Sequence, residues 1–443
     1  MKSTLLILAV LLLWGGALAQ TSEQAAEQTG VSNTDNRIDL IRPDAPELAA
    51  HGPYDIGVRT LDLVNEDELD VVNAVPGEPV PRYDRPLTVE VWYPAELSGA
   101  EPRGEYAATT RDGTPTTLVG RAVRDAEPDT EGAPYPLIIL SHGYPGNRFL
   151  LSHLGENLAS KGYVTVSVDH TDSTYLDQAA FGSTLLNRPL DQQFVLDEMA
   201  RLSQNSEGFL AGLADTDDTG VVGYSMGAYG AVNLLGGGFT QASVASDYAP
   251  PNEILALRQA GNEAFEGSVD PRIKAAVAIA PWGMNTGFWD AEGLAGIDTP
   301  VFFMAGSADD VSGYREGTKA IFERAVNAER YLLTFENANH NAAAPIPAPT
   351  ETWGSESFMH YADAVWDTAR MNNIAQHFAT AFFDLELKGD EAKGAYLDLL
   401  RNAEDGVYAV DEEGDFTEEH TYWRGFPNRT AVGLSLEHKT PSE

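Results

Sequence analysis

No cysteine occurs in the 443 residues. That excludes disulfides and a lipid-modified cysteine anchor, so stability has to come from burial, and a chain of this length can supply a large core. Positive charge is nearly as scarce: 28 Lys and Arg stand against 67 Asp and Glu, for a net charge of −39. Such a surface repels polyanions, which excludes nucleic acid and anionic membranes as partners. It fits a solvated acidic coat suited to salty surroundings. Long apolar runs are missing too, save one near the start, and that one is too short to span a bilayer.

That run opens the chain. Lys2 supplies a charged start, Leu5 to Trp14 the apolar stretch, and Ala17-Leu18-Ala19 an A-x-A cleavage site. Residues 1–19 therefore read as a signal peptide, which predicts a secreted or periplasmic protein with no stable membrane anchor. Residues 20–49, polar and non-periodic at first, read as a flexible leader.

Two alternating stretches, Tyr54–Val64 and Leu87–Tyr93, read as strands with an acidic loop between them. Residues 95–134, rich in Gly, Pro, Arg and Asp, read as a surface excursion. From Pro136 the pattern becomes an α/β alternation. Leu137–Leu140 is a continuous apolar strand, as buried parallel strands are. A helix carries Leu150, Leu151, Leu154 and Leu158, and a strand follows over Tyr163–Val168. A helix is expected from about Arg188-Pro189. Further strands are expected at Ile273–Ala280, Pro300–Ala305 and Arg330–Phe335, with a helix over Tyr314–Val326. A long helix holds Met371, Ile374, Phe378, Phe382 and Leu385 and ends at Gly389. With no linker dividing it, 50–402 reads as one domain with cover elements near 237–270 and 282–296. Residues 403–443 form a C-terminal extension packing on it.

The alternation centres on Gly223-Tyr224-Ser225-Met226-Gly227, between an apolar strand and an Ala/Leu-rich helix. A chain with 41 glycines can contain Gly-x-Ser-x-Gly by chance, so its position carries the inference. At a strand-to-helix junction it is a nucleophile elbow, with Ser225 in a strained turn and the Met226 amide facing a developing oxyanion. A serine nucleophile needs a base and an orienting acid, in the order Ser, acid, His. Asp309 and Asp310 follow the strand that ends at Ala305, and His340 follows the strand that ends at Phe335. The loop Ser141-His142-Gly143-Tyr144 offers the Tyr144 amide as a second oxyanion donor. His142 reads as a structural residue holding that loop, and His377 as a core or flank histidine. Asp169, His170 and Asp172 read as a hydrogen-bonded loop rather than a metal site, because their spacing matches no ligand pattern. Trp282 and Met284, in the second cover element, are candidates for the substrate pocket.

The segments 141–175, NRPLDQQFVLDEM, GYSMGAYG, AGSADDVSGY and ANHNAAAP resemble secreted bacterial α/β-hydrolases of the predicted dienelactone hydrolase group, which is similar to platelet-activating factor acetylhydrolases. The resemblance runs over about 50–390. It implies an α/β-hydrolase fold: a mostly parallel central sheet flanked by helices, with cover loops over the site. It also implies a triad of Ser225, Asp309 and His340, with Asp310 turned away and capping the turn near Tyr314. True dienelactone hydrolases carry a cysteine nucleophile, so the group name is not an activity. The expectation is a serine hydrolase of carboxylic esters, with short-chain acyl esters as substrates and neither cofactor nor metal. The alternatives are the same chemistry on phospholipid acetyl esters, polyesters or peptides, and a non-catalytic binding protein on the same fold. The small-molecule or lipid-like ester is the one partner expected; oligomeric state is not legible.

Overall fold

The computed structural model describes residues 35–99 and 101–443; the expected signal peptide lies outside them. Its centre is an eleven-stranded sheet. The strands are β1 (Asp55–Leu69), β2 (Arg82–Glu96), β5 (Val123–Arg124), β6 (Glu127–Pro128), β7 (Tyr135–Ser141), β8 (Val164–Asp169), β9 (Ala214–Tyr224), β10 (Ile273–Ile279), β11 (Val301–Gly306), β12 (Arg330–Phe335) and β13 (Leu434–Lys439). Two more, β3 (Gly104–Thr109) and β4 (Pro115–Gly120), pair as a separate hairpin. Strands β8, β7, β9, β10, β11 and β12 run parallel, while β2 and β13 border them antiparallel. This is the mostly parallel, doubly covered sheet of an α/β-hydrolase.

Continuous apolar strands require cover on both faces, and both are covered. Ile138 and Leu140 pack with helices α1 (Ser152–Ala159) and α5 (Thr368–Lys388). Leu137 and Ile139 pack with α2 (Phe181–Gln204), α3 (Met226–Leu234) and α4 (Lys319–Arg324). Helix α5 is bounded as its sequence suggests. The Asp367 carboxylate accepts from the Arg370 amide at 2.9 Å, and Gly389 closes the helix at φ 65°.

Four expectations need correction. Helix α2 begins at Phe181, not near Arg188, and Pro189 lies inside it. Proline removes the donor that the Leu185 carbonyl would use, and the Tyr229 hydroxyl donates to that carbonyl instead, at 3.0 Å. Residues 95–134 are not a surface excursion throughout: Tyr106 of the hairpin is fully buried and accepts from Trp92 Nε1 at 2.9 Å. The helix expected over Tyr314–Val326 is a wide turn, Tyr314–Thr318, followed by the short α4; Gly317 leaves helical geometry between them. The leader is not free over its described part. The Ile38 amide donates to Val119 at 2.9 Å, and the Asn157 side chain donates to the Ala49 carbonyl at 2.9 Å.

Candidate active site

The first turn after β9 carries the strain that sequence implies. Ser225 sits at φ 53° and ψ −111°, a conformation a residue with a side chain rarely adopts. It is held there by backbone bonds: its amide donates to Ile279 at 2.9 Å, and its carbonyl accepts from Tyr229 at 2.9 Å and Trp282 at 3.2 Å. The flanking glycines are obligatory. A β-carbon on Gly223 would lie 2.4 Å from the Gly227 carbonyl group, and one on Gly227 would lie 1.9 Å from the Ser141 oxygen. Backbone there cannot move aside.

His340 comes from the loop after β12 and Asp309 from the loop after β11. His340 Nε2 lies 3.0 Å from Ser225 Oγ, and its Nδ1 lies 3.0 and 3.1 Å from the two Asp309 carboxylate oxygens. The Asp309 side chain is fully buried. Burial alone would raise its pKa, but the hydrogen bond and charge of His340 and the amides of Val311 and Ser312 outweigh it, holding the carboxyl below its ordinary value. An anionic Asp309 therefore fixes the proton of His340 on Nδ1 and leaves Nε2 free to accept from Ser225. Asp310 is exposed. The turn that Asp310 was expected to cap is held by Asp309 instead, whose Oδ1 accepts from Val311 at 2.9 Å and Ser312 at 3.0 Å.

The two amides expected as oxyanion donors come from different elements. Met226 is the first residue of α3, and Tyr144 lies in the loop after β7. Among the described residues neither amide has a backbone carbonyl partner. The loop is close: a β-carbon on Gly143 would stand 3.4 Å from Ser225 Cβ. His142 holds it from within, with Nδ1 2.7 Å from the Gly143 oxygen and Nε2 accepting from the His170 amide at 3.3 Å. Burial drives the His142 pKa well below its ordinary value, so its ring is neutral.

The residues weighed as metal ligands are spent on different partners. Asp169 pairs with Arg148, His170 Nδ1 meets Asp191 at 2.9 Å, and Asp172 pairs with Arg85 at 3.1 Å. Among the described residues no group of three or more His, Asp or Glu side chains is arranged to hold a metal ion. His377, fully buried, accepts from the Leu48 amide at 3.1 Å.

An aromatic wall is built around Trp282, whose amide donates to the Ser225 carbonyl. Trp282, half-buried, meets Phe181 edge-on with centroids 5.5 Å apart, and Phe181 meets Tyr144 at 5.1 Å and Tyr248 at 6.3 Å. Met284 packs partly buried against the same cluster. Phe181 and Tyr248 were not among the expected pocket residues: Phe181 opens α2, and Tyr248 lies in the first expected cover element.

An α/β-hydrolase with a serine elbow is the class that this sheet and site define. Within it, the chain is related to the platelet-activating factor acetylhydrolases: residues 114–196 match the family model described as platelet-activating factor acetylhydrolase, isoform II. That match covers the Tyr144 loop and ends before Ser225. Cutinase est1 of Thermobifida alba is 24% identical over 213 residues, 48% of this chain and 55% of that protein. The cutinase of Thermobifida fusca strain YX is 24% identical over 155 residues, 35% of each chain. The chain thus spans about half the length of est1. A solved structure of a ferulic acid esterase from Streptomyces cinnamoneus shares the fold, with TM-score 0.50 and 21% identity over 80% of this chain and 94% of its own.

Proposed function

We propose that the chain is a carboxylic ester hydrolase that works through an acyl-enzyme on Ser225, is exported, and takes short-chain acyl esters. The observation that carries this is the single imidazole of His340 bonded at once to Ser225 and Asp309. Ser225 Oγ attacks the ester carbonyl while its proton passes to His340 Nε2. The oxygen that becomes anionic is met by the amides of Met226 and Tyr144. The tetrahedral intermediate collapses as His340 returns the proton to the leaving alcohol. A water then repeats the sequence, freeing the acid and Ser225. Asp309 stabilises the imidazolium and never takes its proton. No step needs a metal.

Export rests on the N-terminal pattern of Lys2, Leu5–Trp14 and Ala17–Ala19. Among the described residues no helix is long and apolar enough to cross a membrane. A complete, hydrogen-bonded triad speaks against a purely binding protein on the same fold, because binding alone needs no such geometry. The test is hydrolysis of p-nitrophenyl acetate by the purified chain before and after dialysis against EDTA, followed by esters of increasing acyl length. Turnover that falls with chain length and ignores EDTA supports the proposal. No turnover, or turnover restored only by a divalent ion, overturns it.

A further inference from the structure

Beside the loop that carries His340 lies a polar cluster that the proposed chemistry does not use, bound to that loop by the hydrogen bonds of Asn341 to the 359–362 segment. The hairpin β3–β4 ends in a tight turn, with the Thr110 amide donating to Thr114 at 2.9 Å, and Arg111 stands in it. Three contacts tie this turn to the catalytic loops. The Arg111 amide donates to the Tyr361 hydroxyl at 3.0 Å, Asn147 of the Tyr144 loop donates to the Thr109 carbonyl at 2.9 Å, and Arg111 Nη1 lies 3.2 Å from His360 Nδ1. His360 in turn belongs to a segment fixed to the triad. The Asn341 side chain, next to His340, donates to the Met359 and Ala362 carbonyls at 2.7 and 2.8 Å, and accepts from the Tyr224 hydroxyl at 2.9 Å. Tyr224 immediately precedes Ser225, and its ring centroid is 5.2 Å from that of His340.

The protonation states follow from the donors. A guanidinium only donates, so His360 Nδ1 accepts, and the ring proton is on Nε2, directed to the Tyr175 hydroxyl 2.8 Å away. Burial, and then the charges of Arg111 and His340, pull the His360 pKa down to about 3, so this ring stays neutral. Nη1 of Arg111 is thereby anchored. Its other edge, Nε and Nη2, has no hydrogen-bond partner among the described residues, and no carboxylate lies within 4.0 Å of the guanidinium. The adjacent carboxylate, Asp112, is folded onto its own turn, accepting from Thr110 Oγ1 at 2.6 Å and the Thr114 amide at 3.2 Å.

We infer that Arg111 is a subsite for a carboxylate carried on the alcohol half of the ester, held side-on by the free Nε–Nη2 edge. Planar two-point recognition is what that edge matches in a carboxylate. The alcohol half is assigned because His340 must protonate the leaving oxygen, and Arg111 and His360 are tied to the His340 side of the site. The apolar part of the substrate then rests on the wall of Phe181, Trp282 and Tyr144. This inference rests on the ester-hydrolase proposal for its choice of substrate, but its binding element can be measured apart from turnover.

The experiment compares 4-acetoxybenzoate with its methyl ester, in the natural protein, Arg111→Gln and Arg111→Lys. Taking the ratio of kcat/KM for the two esters within each protein cancels any general damage to the site. Removing Arg111 should lower the anionic-to-neutral ratio about tenfold, the worth of a partly exposed charge-assisted pair. The effect should fall in KM, and Arg111→Lys should recover only part of it. Calorimetric binding of 4-hydroxybenzoate should weaken by the same factor in Arg111→Gln. An unchanged ratio together with unchanged binding overturns the subsite. Binding that depends on Arg111 with neither ester hydrolysed sustains the subsite and overturns the hydrolase proposal instead.

Discussion

Arg188, in the second helix, donates from Nη1 to the carbonyl of His142, the residue that begins the Tyr144 loop. It is almost wholly buried, and burial pulls its pKa down to about 9. From one turn further along the helix, Gln192 donates to the Gly227 carbonyl at 2.9 Å. One helix face thus holds both the loop that contains Tyr144 and the turn that contains Met226, the two residues whose amides are proposed as oxyanion donors. A catalytic group displaced by about 1 Å can cost about 10²-fold in rate.

Arg188→Met should therefore lower kcat for p-nitrophenyl acetate by about 10² with little change in KM. A melting curve on the same sample separates this from simple unfolding. A folded variant with unchanged kcat would show that the loop holds its position without the clamp.

The adjacent carboxylates give a matched pair. Asp309 bonds to His340 and two amides, whereas Asp310 is exposed. Asp309→Asn should lose about 10⁴ in kcat, as when a triad histidine is held in the wrong tautomer. Asp310→Asn should lose less than tenfold. Steady-state kinetics on both variants checks this, and a reversed order assigns the acid to Asp310.

Acid stability follows from two buried carboxyls. Burial would raise Asp191, but Arg85 and His170 outweigh it and hold it at about 2; Asp309 is lowered as well. Groups titrating lower in the fold than their unfolded 3.8 contribute fully above that pH and lose the contribution as pH falls towards about 2. Urea unfolding between pH 5 and pH 2.5 should show a steep loss of stability below about 3.8 that is shallower in Asp191→Asn. Parallel curves for the two proteins would exclude Asp191 as a source.

Salt gives a fourth prediction. The charge of −39 repels itself, and exposed pairs such as Arg103–Glu105, 3.9 Å apart, offset little of that. Counterions screen beyond about 8 Å at physiological ionic strength. The melting temperature should rise from low to molar NaCl. A flat or falling trend means that the acidic side chains are already compensated.

The elbow was legible because its constraint is local: Gly223 and Gly227 are needed within four residues by contacts that any side chain would break. The parallel strands were legible from unbroken apolar runs such as Leu137–Leu140. What was not legible depends on partners far along the chain. Pro189 argues for a helix start until Tyr229, forty residues on, is seen satisfying the Leu185 carbonyl. The tail hides β13, whose six residues alternate weakly and acquire meaning only beside β12. Arg111 and His360 are separated by 249 positions, and nothing local in either segment marks them as neighbours.

The most direct test of the account is to trap the acyl-enzyme. Rapid quenching during turnover of p-nitrophenyl acetate, followed by mass spectrometry of peptides, should find one acetyl group on the peptide that contains Ser225. Ser225→Ala should be folded, carry no adduct, and retain about 10⁻⁴ to 10⁻⁶ of kcat. Full turnover in Ser225→Ala, or an acetyl group bound at another residue during turnover, would contradict the account.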